Sequence, residues 1–226
     1  MIIKHLKLFT NELQALKGFY VHELKMKMLH DTPDSFQIQI GNSKLTFQET
    51  NQAVYYHFAI NIPENQIEVA KRWVESVSKI LPYEGQEIVD FKSWNAKAVY
   101  FNDPGGNIVE LIARLNLKQT AFQGFGVNSF LCISEIGTPV KSVQSCFDAL
   151  KEECCLELYS GDTERFAAIG DENGLFIVID PTVKKWIPED REAYYFPFEV
   201  EIENDDQKSF YYKLTTHGKL LPSTPF

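Results

Sequence analysis

One pattern occurs four times along the chain and constrains its fold more than any other feature: a short alternating strand, a polar break, then an amphipathic helix. The copies begin near His5, His57, Ser129 and Pro197. A unit of this size cannot bury its apolar face alone, so a chain built from such units must pair them. In the first copy, Lys4 to Phe9 runs into Leu13, Leu16, Phe19, Tyr20 and Leu24, spaced by three and four as one helix face requires. In the second, Tyr56 to Ile60 precedes Pro63, which suits a first helical turn, and then Ile67, Ala70, Trp73, Val74, Val77 and Ile80. The third joins Phe130 to Ile133, through Pro139, to a helix carrying Val140, Val143, Phe147 and Leu150. The fourth sets Phe198 to Ile202 before Asp205, an N-cap candidate, and a helix through Phe210, Tyr211 and Leu214.

Strand-like segments follow the helices. Gln86 to Ser93, Ala96 to Asn102 and Asn107 to Arg114 follow the second, with Asp103-Pro104-Gly105-Gly106 as a hairpin turn. Ser35 to Ile40 and Lys44 to Gln48 flank Gly41-Asn42 in the first copy, and Arg165 to Ile169 and Leu175 to Ile179 flank Glu172-Asn173-Gly174 in the third. The unit is therefore βαβββ. The fold class expected is α+β: paired βαβββ modules forming curved, mostly antiparallel sheets around a cavity, in two tandem domains, 1–117 and 124–226. The boundary falls where Lys118-Gln119-Thr120 is polar and Gly124 and Gly126 flank the next strand.

Composition limits the partners. Asp plus Glu number 31 against 22 Lys plus Arg, a net charge of -9, which disfavours nucleic acid or an anionic membrane as the main partner. The longest apolar run, Leu175 to Ile179, is far short of the roughly 20 residues that span a bilayer. The start is broken by Lys4 and Lys7 and lacks the apolar region of a signal peptide. The four cysteines form no Cys-x-x-Cys pair, which argues against a thiolate metal site or a disulfide framework and fits a reducing cytoplasm. Cys154 and Cys155 have no neighbouring cation to activate them and read as inert.

His5 and His57 hold matching places in the first two copies, and Glu110 sits on the last strand of the second. Pairing equivalent strands would bring the imidazoles together. A two-His, one-carboxylate face suits one divalent ion, Fe, Mn, Zn or Ni, with positions open for substrate. Glu110 lies in Ile108-Val109-Glu110-Leu111-Ile112, where a buried carboxylate needs a counter-charge; an outward-facing residue on a half-exposed strand is the plain alternative. Tyr100 shares Glu110's face if the intervening turn holds three residues, whereas Val99 does so if it holds two or four. His22 and His30 read as surface residues, and His217 as a helix C-terminal residue before Gly218.

The segment Tyr100-Phe101-Asn102-Asp103-Pro104-Gly105-Gly106-Asn107-Ile108-Val109-Glu110-Leu111 resembles the C-terminal signature of the vicinal-oxygen-chelate superfamily, which includes glyoxalase I, fosfomycin thiol transferases, bleomycin-resistance proteins and extradiol dioxygenases. The first 115 residues are similar to one complete domain of that group, and residues 124 to 226 resemble it only in element order. The resemblance implies that His5, His57 and Glu110 are the metal ligands. Tyr100 is the residue expected to orient or protonate substrate. The chain departs from the group at three places. Only Gln48 or Glu49 stands where glyoxalase I has a fourth ligand, Phe91 replaces the acid/base His of the dioxygenases, and Lys92 and Arg114 are the nearest counterparts of the transferases' basic cluster. Ser129 and Pro197 replace the histidines in the second half, which is expected to hold no metal; its aromatic stretch, Trp186 with Tyr194 to Phe196, reads as core. The function expected is a metal-dependent enzyme acting on a small oxygen-chelating substrate, with dioxygenase-like chemistry ranked first, in a monomer or homodimer. The alternative is a metal-free protein that sequesters a small molecule, as the bleomycin-resistance proteins do. A third reading makes the ligands relics in a structural or regulatory dimer.

Overall fold

A computed structural model describes all 226 residues. The first module comprises β1 (Ile2–Thr10), α1 (Leu13–Lys17, continued by a π-helical turn Gly18–Glu23), β2 (Met28–Asp31), β3 (Ser35–Ile40) and β4 (Ser43–Glu49). The second comprises β5 (His57–Ile62), α2 (Ile67–Val77), β6 (Ile80–Leu81), β7 (Val89–Phe91), β8 (Ala96–Asn102) and β9 (Ile108–Arg114). In the third, β10 (Cys132–Pro139) leads through α3 (Val143–Cys154) to β11 (Leu158–Gly161), β12 (Phe166–Asp171) and β13 (Gly174–Ile179). The fourth has three strands and no helix: β14 (Phe198–Glu203), β15 (Ser209–Leu214) and β16 (Leu220–Pro222).

The predicted fourth helix is thus a strand. Phe210, Tyr211 and Tyr212 favour a pleated surface, and Ser209 to Leu214 pairs residue for residue with β14. His217 accordingly sits in the turn between β15 and β16 rather than at a helix end. The other helices form for the reasons their sequences give. The buried face of α2 is Ile67, Ala70 and Val74, and α3 starts at Ser142, whose hydroxyl accepts the Ser145 N–H.

The fold is α+β with paired modules, as the repeats require, but the pairing is crosswise. One sheet has the order β16-β15-β14-β1-β4-β3-β2, joining the first module to the fourth. The other runs β11-β12-β13-β10-β5-β9-β8-β6, with β7 on β8, and joins the second module to the third. The junctions are antiparallel, β1 with β14 and β5 with β10. Residues 1–117 therefore do not close around a cavity of their own. The polar stretch near 117–125 separates two strands of one sheet, and β14 covers the β1 edge that a tandem arrangement would have given to the second module.

The two sheets treat their faces differently. In β1, β3 and β14 buried and less buried residues alternate, whereas β5, β9, β10 and β13 are buried throughout. Each sheet turns one face to a shared core containing Leu6, Leu8, Phe47, Phe58, Phe101 and Phe176. The second sheet's other face is covered too, packing Tyr100, Ile112, Ile177 and Trp186 into a smaller cluster. The cover is the connector from β13 to β14. Its Trp186 lies so close to β10 that a Cβ on Gly137 would stand 2.8 Å from the indole, so that position excludes any larger residue. Arg191 holds the connector down: its guanidinium donates to the Gly106 carbonyl at 2.6 Å and stacks 3.9 Å from the Tyr55 ring.

Candidate metal centre

The covered face of the second sheet gathers three chemically capable side chains. β5 and β9 run parallel with His57 opposite Ile108, so Glu110, two residues further, shares His57's face. β10 lies antiparallel on the other edge of β5 and sets Glu135 opposite Ala59. Simple alternation would not aim Glu135 there. The register shifts at Ser134, so that Ile133 and Ile136 both face the core while Cys132 and Glu135 share the other face. His57 Nε2 lies 3.5 Å from Glu110 Oε2 and 3.8 Å from Glu135 Oε2, and one ligand atom from each of the three lies within 4.8 Å of the others. All three are buried.

The second contacts of these groups orient them. His57 Nδ1 lies 3.3 Å from the Ile108 carbonyl, to which its N–H donates, and Nε2 is the ring nitrogen on the side of the carboxylates. Glu135 Oε1 accepts from Arg114 Nη2, while Arg114 Nε donates to Asn61 Oδ1 at 3.1 Å. Arg114 is fully buried and Nη1 has no partner. Burial above all, then the Glu135 charge, pushes the Glu110 carboxyl well above its ordinary range; the Tyr100 hydroxyl and Arg114 pull the other way. Two buried carboxyls share one guanidinium, so the second is held either by a proton, as its raised pKa implies, or by a bound cation. A nitrogen and two oxygens converging at these distances fit a divalent ion of the Mn, Fe or Zn kind.

Tyr100 pairs directly with Glu110 across β8 and β9, its ring 6.2 Å from that of His57. The loop between those strands is Asp103 to Asn107, an odd number of residues, which gives Tyr100 rather than Val99 the shared face. The loop is rigid: buried Asp103 accepts from the Asn107 backbone and side chain and from the Tyr20 hydroxyl at 2.8 Å. Burial raises the Tyr100 hydroxyl well above its usual pKa, with the Glu110 and Glu135 charges adding to it, so the hydroxyl stays a donor. The site opens into a cavity of about 310 Å³ walled by Phe91, Trp94, Phe166 and Trp186.

His5 is not part of this centre. It lies on β1 in the other sheet, with Nε2 2.8 Å from Thr46 Oγ1 and 3.1 Å from Gln37 Nε2. Burial first, then Lys44 and Lys7, hold its pKa down to about 4. The crosswise pairing of modules put β10, not β1, beside β5, so the third side chain of the candidate site is a carboxylate and the set is one His with two Glu. Gln48 and Glu49 lie on the first sheet with His5, and Gln48 is engaged with Asp34. The corner corresponding to a fourth ligand can be read from register. Glu135 pairs with Leu175 in the parallel β10–β13 ladder, so Ile177, two residues further, matches Glu110 and lines the cavity. Phe91 also lines it, while Lys92 does not. Neither His22 nor His30 lines the cavity. The sequence reading missed Glu135, although Cys132-Ile133-Ser134-Glu135-Ile136 carries the signal used for Glu110, a carboxylate among apolar residues. It also missed Arg114 as Glu135's counter-charge and Trp186 as cavity wall.

No family model and no curated protein matches the sequence. Solved structures match the fold. Glyoxalase I from Zea mays aligns with a TM-score of 0.56 at 13% identity, covering 97% of this chain and 90% of that protein. A candidate dioxygenase from Bacillus subtilis aligns with a TM-score of 0.55 at 14% identity over 79% of this chain and 63% of its own, so this chain spans less than two thirds of that protein. The fold this chain shares with them is one of paired βαβββ modules, like that of glyoxalase I and the candidate dioxygenase.

Proposed function

We propose that this chain is a metal-dependent enzyme acting on a small substrate that presents two neighbouring oxygens, with dioxygenase-like chemistry ahead of isomerisation or thiol addition. The observation that carries this reading is the convergence of His57, Glu110 and Glu135 at a cavity floor, with two buried carboxyls for one guanidinium. His57, Glu110 and Glu135 would hold the ion, and the carboxylate-rich set favours Mn(II) or Fe(II) over softer choices. Bound there, a divalent ion supplies Lewis acidity toward the substrate's oxygens.

The chain's own residues do the rest. Tyr100 donates a hydrogen bond at the cavity floor and, kept protonated, can pass its proton to an oxygen that gains charge. Trp186, Phe91 and Trp94 exclude water and strengthen each polar contact at the floor. Ile177 in place of a fourth ligand leaves more of the site open than a four-ligand set does, as a reaction joining a chelated substrate to a second small reactant requires. Apolar Phe91 leaves Tyr100 as the acid on hand. A metal-free sequestering protein has no need of two buried carboxylates around an imidazole, so this alternative ranks second.

The test is anaerobic titration with Mn(II), Fe(II) and Zn(II), followed by oxygen consumption on a panel of vicinal diols and α-hydroxy ketones. One equivalent of bound ion and ion-dependent oxygen uptake are expected. Absence of ion uptake overturns the enzyme reading, and uptake without oxygen consumption moves the chemistry to isomerisation or thiol addition.

A further inference from the structure

The chain carries nine more acidic than basic residues, yet outside the ligand set the charged residues lining the cavity are two lysines and no carboxylate. Both belong to the connector that roofs the site, next to Trp186. They are not equivalent. Lys185 is ion-paired with Glu192 of the same connector, so its charge is largely spent. Lys184 forms no ion pair, and its Nζ rests 4.5 Å over the ring of Phe166, a cavity wall. A lysine parked on an aromatic face keeps its donors free for a better partner. The hydroxyls of Ser93 and Ser160 line the same cavity and add neutral donors.

We propose that the cavity takes a flat conjugated substrate bearing an acidic group in addition to its chelating oxygens, and that Lys184 binds that group. The inference rests on the metal-centre reading above and adds a specificity residue and a substrate class to it. The flat body follows from the walls Phe91, Trp94 and Trp186, and the acidic group from the one cation that lines the cavity without a partner. Lys184 is exposed, so replacing it leaves the fold intact.

The probes are benzohydroxamate and 4-carboxybenzohydroxamate, which share a bidentate oxygen chelator and an aromatic ring and differ by one distal carboxylate. Their affinities for Zn(II)-loaded protein are measured by calorimetry at low salt. The carboxylated probe is expected to bind about five- to tenfold more tightly, the range of one charge-assisted hydrogen bond at a partly solvated site. The preference should vanish in Lys184→Met, survive in Lys184→Arg and in Lys185→Met, and shrink with added salt. Equal affinities in the unaltered protein, a preference that survives Lys184→Met, or no binding of either probe to the loaded protein overturns the inference. Zinc uptake is measured beforehand without any hydroxamate, and its absence overturns the metal-centre reading instead.

Discussion

At corresponding positions the second sheet carries His57, Tyr100, Glu110 and Glu135, and the first carries His5, Gln37, Thr46 and Glu199. The ladders fix this correspondence. His57 pairs with Ile108 and His5 with Lys44, so Glu110 and Thr46 stand two residues on; Tyr100 and Gln37 are their cross-strand neighbours. Glu135 lies opposite Ala59, and Glu199 opposite Lys7. Both junctions contain a register shift, at Ser134 in β10 and, on the other member of the pair, at Lys4 in β1. The backbone plan is shared, and two side chains separate the outcomes. Thr46 removes a carboxylate, and Lys7, where the other sheet has Ala59, places an ammonium 3.1 Å from Glu199. The first sheet thus pairs its one carboxylate with an ammonium, while the second has two buried carboxyls for one guanidinium.

The largest effect expected is on metal uptake. His57→Ala and Glu110→Gln should weaken binding of Mn(II) or Zn(II) more than about 100-fold, beyond the loss typical of a ligand's supporting residue, whereas His5→Ala keeps one equivalent. Elemental analysis decides this, and loss of metal in His5→Ala would undo the contrast between the sheets. Glu110→Gln should at the same time stabilise the metal-free protein at pH 7, because a buried carboxylate with a raised pKa costs folding free energy while ionised. A urea midpoint that falls in that variant counts against the burial argument.

Arg114→Met leaves Glu135 buried without its partner and should cost about 3–5 kcal/mol in the metal-free protein. Part of that loss should return when metal is added, since the ion supplies the missing charge. Chemical denaturation with and without Zn(II) measures both quantities. The comparison can also be pushed the other way. Thr46→Glu alone should bind no second ion, because Lys7, paired with both Glu199 and position 46, sets its ammonium between the two carboxylates where an ion would go, while Thr46→Glu with Lys7→Ala should bind a second, weaker equivalent. A second equivalent in the single variant would show that Lys7 does not decide the difference.

Two smaller effects depend on pH. Uptake of metal by the native protein should decline on acidification above the ordinary carboxylate range, since proton and ion compete for Glu110. Tyr100→Phe removes a hydroxyl that favours the carboxylate, so the decline should move to higher pH. On the first sheet, His5 titrates near 4 when folded and about 6.5 when unfolded, so its contribution to stability is present above the unfolded value and is lost as pH falls from about 6.5 to 4. His5→Gln should flatten that part of the urea-midpoint profile, and an unchanged slope would show that His5 is solvated.

The repeats were legible because apolar spacing reports local structure: strands, turns and three of the four helices follow from residues such as Leu13, Leu16, Val143 and Leu150. Glu110 was legible for the same reason, as a carboxylate in an apolar strand. His5 looked equivalent to His57 because it is equivalent within its module. Which module lies beside which is a matter of edges meeting across large stretches of chain, and no local pattern encodes it. Phe210, Tyr211 and Leu214 misled because a short aromatic segment satisfies helical and strand spacing alike, and β14 supplied the ladder that chose between them.

What the amino-acid sequence determined by itself was the set of modules, the α+β class, the turn residues Asp103 to Gly106, and two of the three candidate ligands, since each rests on residues within one module of the chain. The tertiary structure alone decided which third side chain joins His57 and Glu110. The crosswise pairing put β10 against β5, and the shift at Ser134 turned Glu135 toward His57; a one-residue change of register flips a strand's faces, and that register is set by the neighbour it pairs with.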